Sequence, residues 1–210
     1  MSTRVLIADD HALFRDGLKA LLVAGEFEIV AEVENGQDAI REARRLHPDV
    51  AIVDIGMPGL NGVDAAREVL RVSPGTKVIV LTMHKDHIYI AESLRAGARG
   101  YVLKSRGAKE LLEALREIVR GGIYLSPGLS QEVVESFLRG DKPPESPLSP
   151  REREVLQLVA EGKTTKEVAA TLFISFKTVE SHRQRIMSKL DLHETASLVR
   201  YAIRSGLIQP

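Results

Sequence analysis

The first 120 residues alternate regularly between two patterns, and this alternation limits the fold more than any other feature. Short runs of β-branched and other apolar residues predict strands, and stretches with apolar residues at intervals of three and four predict helices. The predicted strands span residues 5–8, 29–33, 50–55, 77–81 and 100–103. Five strand–helix units predict an α/β domain with a five-stranded, parallel, doubly wound sheet. Right-handed crossovers place the loops after the strands at one edge, where we expect the chemistry.

The composition changes after Arg120. Glycines and a proline punctuate the next residues, residues 130–138 predict a short helix, and four prolines fall within residues 140–150. Proline makes such a connector semi-rigid, whereas Gly140 gives it a flexible point. We therefore predict a semi-rigid linker over residues 121–147, joining a domain at 1–120 to a second one at 148–210.

The second domain shows only helical periodicity. Capping boxes at Ser149 and Thr164, each with a glutamate three residues later, predict two helix starts, and Ser175 predicts a third. A fourth helix is predicted over residues 194–205. This domain carries ten basic and seven acidic residues, a net charge of +3, and the remaining 19 basic and 22 acidic residues give the rest of the chain −3. The small helical domain is therefore the basic one.

Composition excludes several classes of protein. The chain has no cysteine, which rules out disulfides, thiolate zinc sites and thiol nucleophiles. The apolar runs are far shorter than the roughly 20 residues of a membrane-spanning helix. Asp9 and Asp10 interrupt the N-terminal run before it could form the core of a signal peptide. We therefore expect a cytoplasmic protein without membrane association.

Three carboxylates follow predicted strands at the chemical edge. Asp9 and Asp10 follow the first strand, and Asp54 lies at the end of the third. Clustered carboxylates repel one another, so the cluster indicates a hard divalent cation, and all-oxygen ligation favours Mg²⁺. Thr82 and Lys104, at the ends of the fourth and fifth strands, add a hydroxyl and an ammonium group. Together these groups can stabilise a phosphoryl group on Asp54.

The strand ends of the first domain carry four groups of residues: Asp9-Asp10, Asp54-Ile-Gly-Met-Pro-Gly-Leu-Asn-Gly62, Thr82 and Tyr101-Val-Leu-Lys104. Together they resemble the receiver domain of bacterial two-component response regulators. The resemblance implies a flavodoxin-like fold in which Asp54 accepts a phosphoryl group from a sensor histidine kinase. It also implies Mg²⁺ ligation by Asp10, Asp54 and the Gly56 carbonyl, with Asp9 assisting through water. Thr82 and Tyr101 would form the switch, the ring turning inward as Thr82 approaches the phosphoryl group, and Lys104 would stabilise that group.

A short predicted helix at residues 165–172 and a longer one at 176–190 flank a tight turn, which is the arrangement of a helix-turn-helix motif. At 100° per residue, Ile186 and Leu190 fall within about 20° of Val179 and define a buried stripe. The opposite face is a polar ridge with basic flanks, which suits base edges and phosphates in a major groove. The ridge residues are Lys177, Glu180, Ser181, Gln184 and Ser188.

The segments starting at Leu148, Glu161 and Ile174 resemble the LuxR-type DNA-binding domain of the NarL/FixJ family. The resemblance implies base contacts from Glu180, Ser181 and Gln184, and a dimer surface on the final helix. The implied phosphate contacts are Lys177, Thr178, Arg183, Arg185 and Lys189. Asp191 replaces a common glycine, and we expect the helix to stop there nonetheless, because aspartate tolerates the left-handed conformation. His193 and Glu194 replace residues that are often basic.

These features predict a transcription factor gated by Mg²⁺-dependent phosphorylation of Asp54, which would dimerise and bind paired DNA half-sites. We do not expect an enzyme, beyond self-phosphorylation from small donors and autodephosphorylation. Three alternatives remain at this point. They are a phosphorylation-independent DNA binder with a vestigial receiver, an Mg²⁺ enzyme that turns over phosphate esters, and a helical module that binds only proteins.

Overall fold

A computed structural model describes residues 2–83, 87–129, 147–205 and 207–208. The N-terminal strands are β1 (Arg4–Ala8), β2 (Glu28–Val33), β3 (Val50–Asp54), β4 (Lys77–Thr82), β5 (Gly100–Leu103) and β6 (Tyr124–Leu125). The helices between them are α1 (Ala12–Ala24), α2 (Gly36–Leu46), α3 (Gly62–Val72), α4 (His87–Ala96) and α5 (Ala108–Val119). A short 3₁₀ turn, Lys104–Arg106, follows β5.

The strands form one parallel sheet in the order β2-β1-β3-β4-β5-β6. All of β3 is buried, which explains why its sequence is a continuous apolar run that ends in Asp54. Each sheet face has its own apolar cluster: one packs on α1 and α5, the other on α2, α3 and α4. The doubly wound α/β fold and all five predicted strands are confirmed.

A sixth strand corrects the predicted strand count. Tyr124 and Leu125 pair in parallel with β5, within the segment predicted as linker. Two residues are too few to show a strand pattern, and the pairing rests on the backbone: Tyr124 N donates to Arg99 O and Ser126 N donates to Tyr101 O. The Ser126 hydroxyl also accepts a hydrogen bond of 2.9 Å from the Leu103 amide. The predicted helix at 130–138 lies outside the described residues.

The second domain contains α6 (Pro150–Ala160), α7 (Thr165–Thr171), α8 (Phe176–Leu190) and α9 (Thr195–Arg204). Both predicted capping boxes are present, and the Ser175 hydroxyl accepts from the Thr178 amide at the start of α8. Asp191 ends α8 with φ 53° and ψ 47°, the left-handed conformation expected there. Val179 and Ile186 are buried in a compact apolar cluster that also includes Leu156 and Leu198.

Among the described residues, no helix combines the length and apolarity needed to span a membrane.

Candidate phosphoacceptor pocket and nucleic-acid interface

The carboxylates predicted at the sheet edge do lie together. β1 and β3 are adjacent parallel strands, so Asp9 and Asp10 after β1 lie beside Asp54 at the end of β3. Thr82 at the end of β4 and Lys104 after β5 lie at the same edge. Asp54, Gly56, Thr82 and Lys104 line one open cleft of about 430 Å³. The predicted pocket residues are thus brought together by the strand order.

One lysine bridges two of the three acids. The Lys104 ammonium lies 2.7 Å from Asp9 Oδ2 and 2.9 Å from Asp54 Oδ2. Asp54 is only 3% exposed, and its burial raises the pKa of the carboxyl above the usual value. Lys104 opposes this shift, whereas the neighbouring Asp9 charge adds to it. Since a single ammonium cannot balance three carboxylates, the pocket retains negative charge for a cation.

The donor set fits a hard divalent cation. Asp9, Asp10, His11 and Asp54 each offer a ligand atom, and these four atoms lie within 4.8 Å of one another. Three of the four are carboxylates, the ligand type that Mg²⁺ prefers. Gly56 lies in the loop directly after β3 and lines the same cleft as Asp54. The residues present are therefore compatible with the predicted Mg²⁺ site.

Two pocket residues were not assigned a role from the sequence. His11 Nδ1 lies 2.8 Å from Asp10 Oδ1, and the His11 amide donates to Asp9 Oδ1 at 3.0 Å. The Lys104 ammonium also lies 4.6 Å from the centre of the Phe14 ring, a cation–π contact. The available signals were the position of His11 directly after the acid pair and that of Phe14 one helical turn later.

The two predicted switch residues are fully buried. Thr82 and Tyr101 are each 0% exposed, and their strands are adjacent in the sheet. Tyr101 belongs to the apolar cluster that packs on α4. Its ring therefore already lies inward in this structure, and the movement of Thr82 and Tyr101 on phosphorylation stays a prediction.

The predicted DNA-reading face of α8 is partly open to solvent. Lys177, Thr178, Gln184, Arg185 and Lys189 are exposed. Glu180 and Ser181 are half-buried, and so is Arg183. This pattern follows the helical phase predicted from the sequence, in which the buried stripe faces away from the ridge.

Two of the predicted contact residues are held by a neighbouring helix. Thr165, the first residue of α7, donates to Glu180 Oε1 at 3.1 Å and accepts from Arg183 Nη1 at 3.0 Å. Arg183 Nη2 also donates to the Thr195 hydroxyl at 3.1 Å. This network fixes Glu180 before any ligand arrives.

Lys189 is engaged elsewhere in the domain. Its ammonium lies 2.7 Å from Glu152 Oε2, the carboxylate that completes the capping box of α6. Glu152 is only 4% exposed. Although burial acts to raise the pKa of Glu152, its bonds to Lys189 and Ser149 hold that pKa below the usual value. The ion pair ties the end of α8 to the start of α6.

We expect Glu152→Ala to lower the unfolding free energy of the helical domain by about 1 kcal/mol, because it removes the reciprocal cap of α6. Glu152→Gln is the matched control, since glutamine can keep the cap while losing the ion pair with Lys189. Urea unfolding followed by circular dichroism measures both variants. Equal destabilisation by alanine and glutamine would show that the ion pair, not the cap, carries the effect.

The helical domain also contacts the loop that follows Asp54. Gln157 Nε2 donates to the Met57 carbonyl at 2.8 Å, and the Gly59 amide donates to Glu161 Oε1 at 2.9 Å. These bonds come from α6 and the residue directly after it. The loop directly after Asp54 and the helical domain are therefore in contact.

An ion-pair network extends this interface. Arg153 on α6 donates twice to the Asp64 carboxylate on α3, at 2.7 and 3.1 Å, and lies 3.8 Å from Glu92 Oε2 on α4. Although burial acts to raise the pKa of Asp64, Arg153 holds that pKa below the usual value. A carboxylate with a lowered pKa stays charged at neutral pH, so the contact is lost only when the pH falls through that lowered pKa.

Two family models match the chain. The model for the response regulator receiver domain matches residues 5–116, and the model for bacterial regulatory proteins of the luxR family matches residues 146–202. The oxygen regulatory protein NreC of Staphylococcus carnosus is 37% identical over 98% of this chain and 99% of its own length. The transcriptional regulatory protein DegU of Brevibacillus brevis is 34% identical over 98% of this chain and 95% of its own.

Solved structures agree with these matches. The RcsB response regulator of Salmonella typhimurium aligns with a TM-score of 0.70 at 30% identity, covering 99% of this chain and 100% of its own. RcsB bound to promoter rprA with the phosphomimetic BeF₃⁻ aligns with a TM-score of 0.58 at 30% identity, covering 95% and 98%. With both family models and full-length relatives in agreement, the chain belongs to the NarL/FixJ family of two-component response regulators, with a receiver domain and a LuxR-type helix-turn-helix domain.

Proposed function

We propose that this protein is a DNA-binding transcription regulator switched by phosphorylation of Asp54 from a sensor histidine kinase. The observation that carries the proposal is one chain with a buried carboxylate beside Lys104 and Thr82 and, in its other domain, an exposed polar ridge on α8. The relatives NreC and DegU are named as regulatory proteins, and RcsB has been solved bound to DNA. These comparisons support the regulatory class.

The receiver residues divide the phosphoryl transfer among them. An oxygen of Asp54 attacks phosphorus, forming a P–O bond while the P–N bond to the kinase histidine breaks. Lys104 offsets charge on the phosphoryl oxygens, and the Thr82 hydroxyl donates a hydrogen bond to one of them. Asp9, Asp10, Asp54 and the Gly56 carbonyl would hold Mg²⁺, which supplies further charge neutralisation at these oxygens. Beyond forming and hydrolysing its own acyl phosphate, the protein turns over no substrate.

The docking contacts offer a route from Asp54 to the DNA-binding domain. Phosphorylation brings a charge of about −2 to a site two residues from Gly56 and three from Met57, whose carbonyl accepts from Gln157. The docked arrangement leaves Lys177, Gln184 and Ser188 of the ridge exposed, so the gate does not need to uncover the whole ridge. The gate would instead change how the two domains are held. It would thereby favour a homodimer, formed through α9, that binds paired half-sites through α8.

Arg153→Met tests this route. The substitution removes the double hydrogen bond to Asp64 but keeps an apolar stem, so we expect the phosphodonor effect on DNA affinity, about 5- to 150-fold for a typical coupling, to shrink toward no effect. Arg151→Met is the control, because Arg151 pairs with Glu154 and the Leu172 carbonyl inside its own domain. Fluorescence anisotropy with a labelled duplex measures, for each variant, the ratio of the DNA affinities with and without the phosphodonor. An unchanged ratio in Arg153→Met would remove this interface from the switch.

Selection from a random pool of double-stranded DNA at several salt concentrations tests the DNA-binding function itself. We expect enrichment of paired half-sites and a steep loss of affinity with salt, because phosphate contacts release counterions. No enrichment at any salt would contradict the proposal and favour the module that binds only proteins. Repeated release of phosphate from a small ester by the purified protein would favour the alternative of an Mg²⁺ enzyme that turns over phosphate esters.

A further inference from the structure

Two exposed aromatic rings lie at the turn of the helix-turn-helix motif, one within it and one directly after it. Phe173, in the turn, is 95% exposed, and Phe176, the first residue of α8, is 52% exposed. A ligand that covers such a side chain would gain the free energy of burying its apolar surface. The phosphate contacts and polar base contacts expected of α8 do not account for either ring.

Phe176 is next to a predicted base-contacting residue, Glu180, at the start of α8. At 100° per residue, Phe176 lies one turn before Glu180 and about 40° from it, on the flank of α8 that also carries Arg183 and Met187. The Ser175 cap fixes the start of the helix, since its hydroxyl accepts from the Thr178 amide at 3.1 Å. Lys177 and Thr178 beside the ring are exposed. The N-terminal residues of a recognition helix are those that enter the major groove.

We propose that Phe176 is a specificity-determining residue that packs its ring against the C5-methyl group of a thymine, next to the base contacted by Glu180. This inference rests on the proposed DNA-binding function. The thymine methyl is the apolar group that base pairs present in the major groove, and an aromatic ring is a suitable contact for it. Burial of one methyl carbon corresponds to about fourfold in affinity.

Phe173 does not share this placement. Its φ of 53° puts it in the left-handed region, between α7 and α8, so its ring does not follow the helical face of the polar ridge. It is therefore a matched control, an exposed phenylalanine in the same motif but outside the recognition helix.

The test replaces thymine with uracil, which lacks only the methyl group. The full-length protein first selects a duplex from a random pool, and each thymine of that duplex is then exchanged for uracil in turn. We expect the wild-type protein to lose about fourfold in affinity at one thymine of each half-site. Phe176→Ala should bind thymine and uracil duplexes equally at that position, whereas Phe173→Ala should keep the wild-type discrimination.

Two results would overturn the inference while leaving DNA binding intact. They are a wild-type protein indifferent to uracil at every position, and a Phe176→Ala variant that discriminates as the wild type does. Failure to select any duplex would refute the DNA-binding function, and this inference with it. If Phe176→Ala does not fold, Phe176→Asn, which places a polar side chain at the same exposed position, is used in its place. This variant should also bind thymine and uracil duplexes equally.

Discussion

Asp54→Asn is expected to abolish phosphoryl uptake from acetyl phosphate or another small phosphodonor. The amide keeps the shape of the side chain but cannot form the acyl phosphate, and the Lys104 ammonium 2.9 Å away loses one of its two charged partners. Intact-protein mass spectrometry in the presence of Mg²⁺ measures the uptake directly. The wild-type protein should gain the mass of one phosphoryl group, and the variant should gain none.

Asp10→Asn tests the metal site separately from the phosphoacceptor. It leaves Asp54 unchanged but removes a carboxylate from the group of four ligand atoms that lie within 4.8 Å. We expect phosphoryl uptake that is slowed and needs a higher Mg²⁺ concentration, not uptake that is lost. Phosphorylation of Asp54→Asn at the wild-type level would show that another residue is the phosphoacceptor.

Gly62→Ala is expected to destabilise the receiver domain by about 3 kcal/mol, a large effect for one methyl group. A Cβ at Gly62 would overlap the carbonyl oxygen of Asp54 and lie 2.6 Å from its carbonyl carbon and 2.9 Å from Ile55 Cα. These neighbours are backbone atoms, which cannot move aside without displacing Asp54. The substitution should therefore lower both the stability of the domain and its rate of phosphoryl uptake, and urea unfolding with mass spectrometry measures the two effects.

Gly17→Ala provides the comparison in another helix of the same domain. A Cβ there has no neighbour within 4 Å, and Gly17 lies inside α1. Because alanine is the better helix former, we expect this variant to gain about 1 kcal/mol of stability. A Gly62→Ala protein as stable as the wild type would show that the loop between Asp54 and α3 tolerates a shift that the packing does not suggest.

The sequence was sufficient to predict the pocket, because its chemistry follows from strand order. Asp9, Asp54, Thr82 and Lys104 each end or follow a strand, and a parallel sheet places such positions at one edge. The helix starts at Ser149, Thr164 and Ser175 were predictable for a different reason, since capping is decided by residues three or four apart.

Features that depend on contacts between distant residues were not predictable. β6 is held by backbone hydrogen bonds to β5 that leave no pattern in Tyr124 and Leu125. The pairing of Arg153 with Asp64 joins residues 89 positions apart, and nothing local distinguishes this arginine from the neighbouring Arg151. The partners of Lys189 and Arg183 within the domain were not predictable for the same reason. The helical phase gives the direction of each side chain but not the residue that it contacts.

Control of DNA binding by phosphorylation is measured as the affinity of the full-length protein for its selected duplex, with Mg²⁺, in the presence and absence of a small phosphodonor. We predict that the phosphodonor strengthens DNA binding by the wild-type protein about 5- to 150-fold and leaves binding by Asp54→Asn unchanged. Tight binding by both proteins that is indifferent to the phosphodonor would contradict the gate, and would identify a phosphorylation-independent DNA binder with a vestigial receiver.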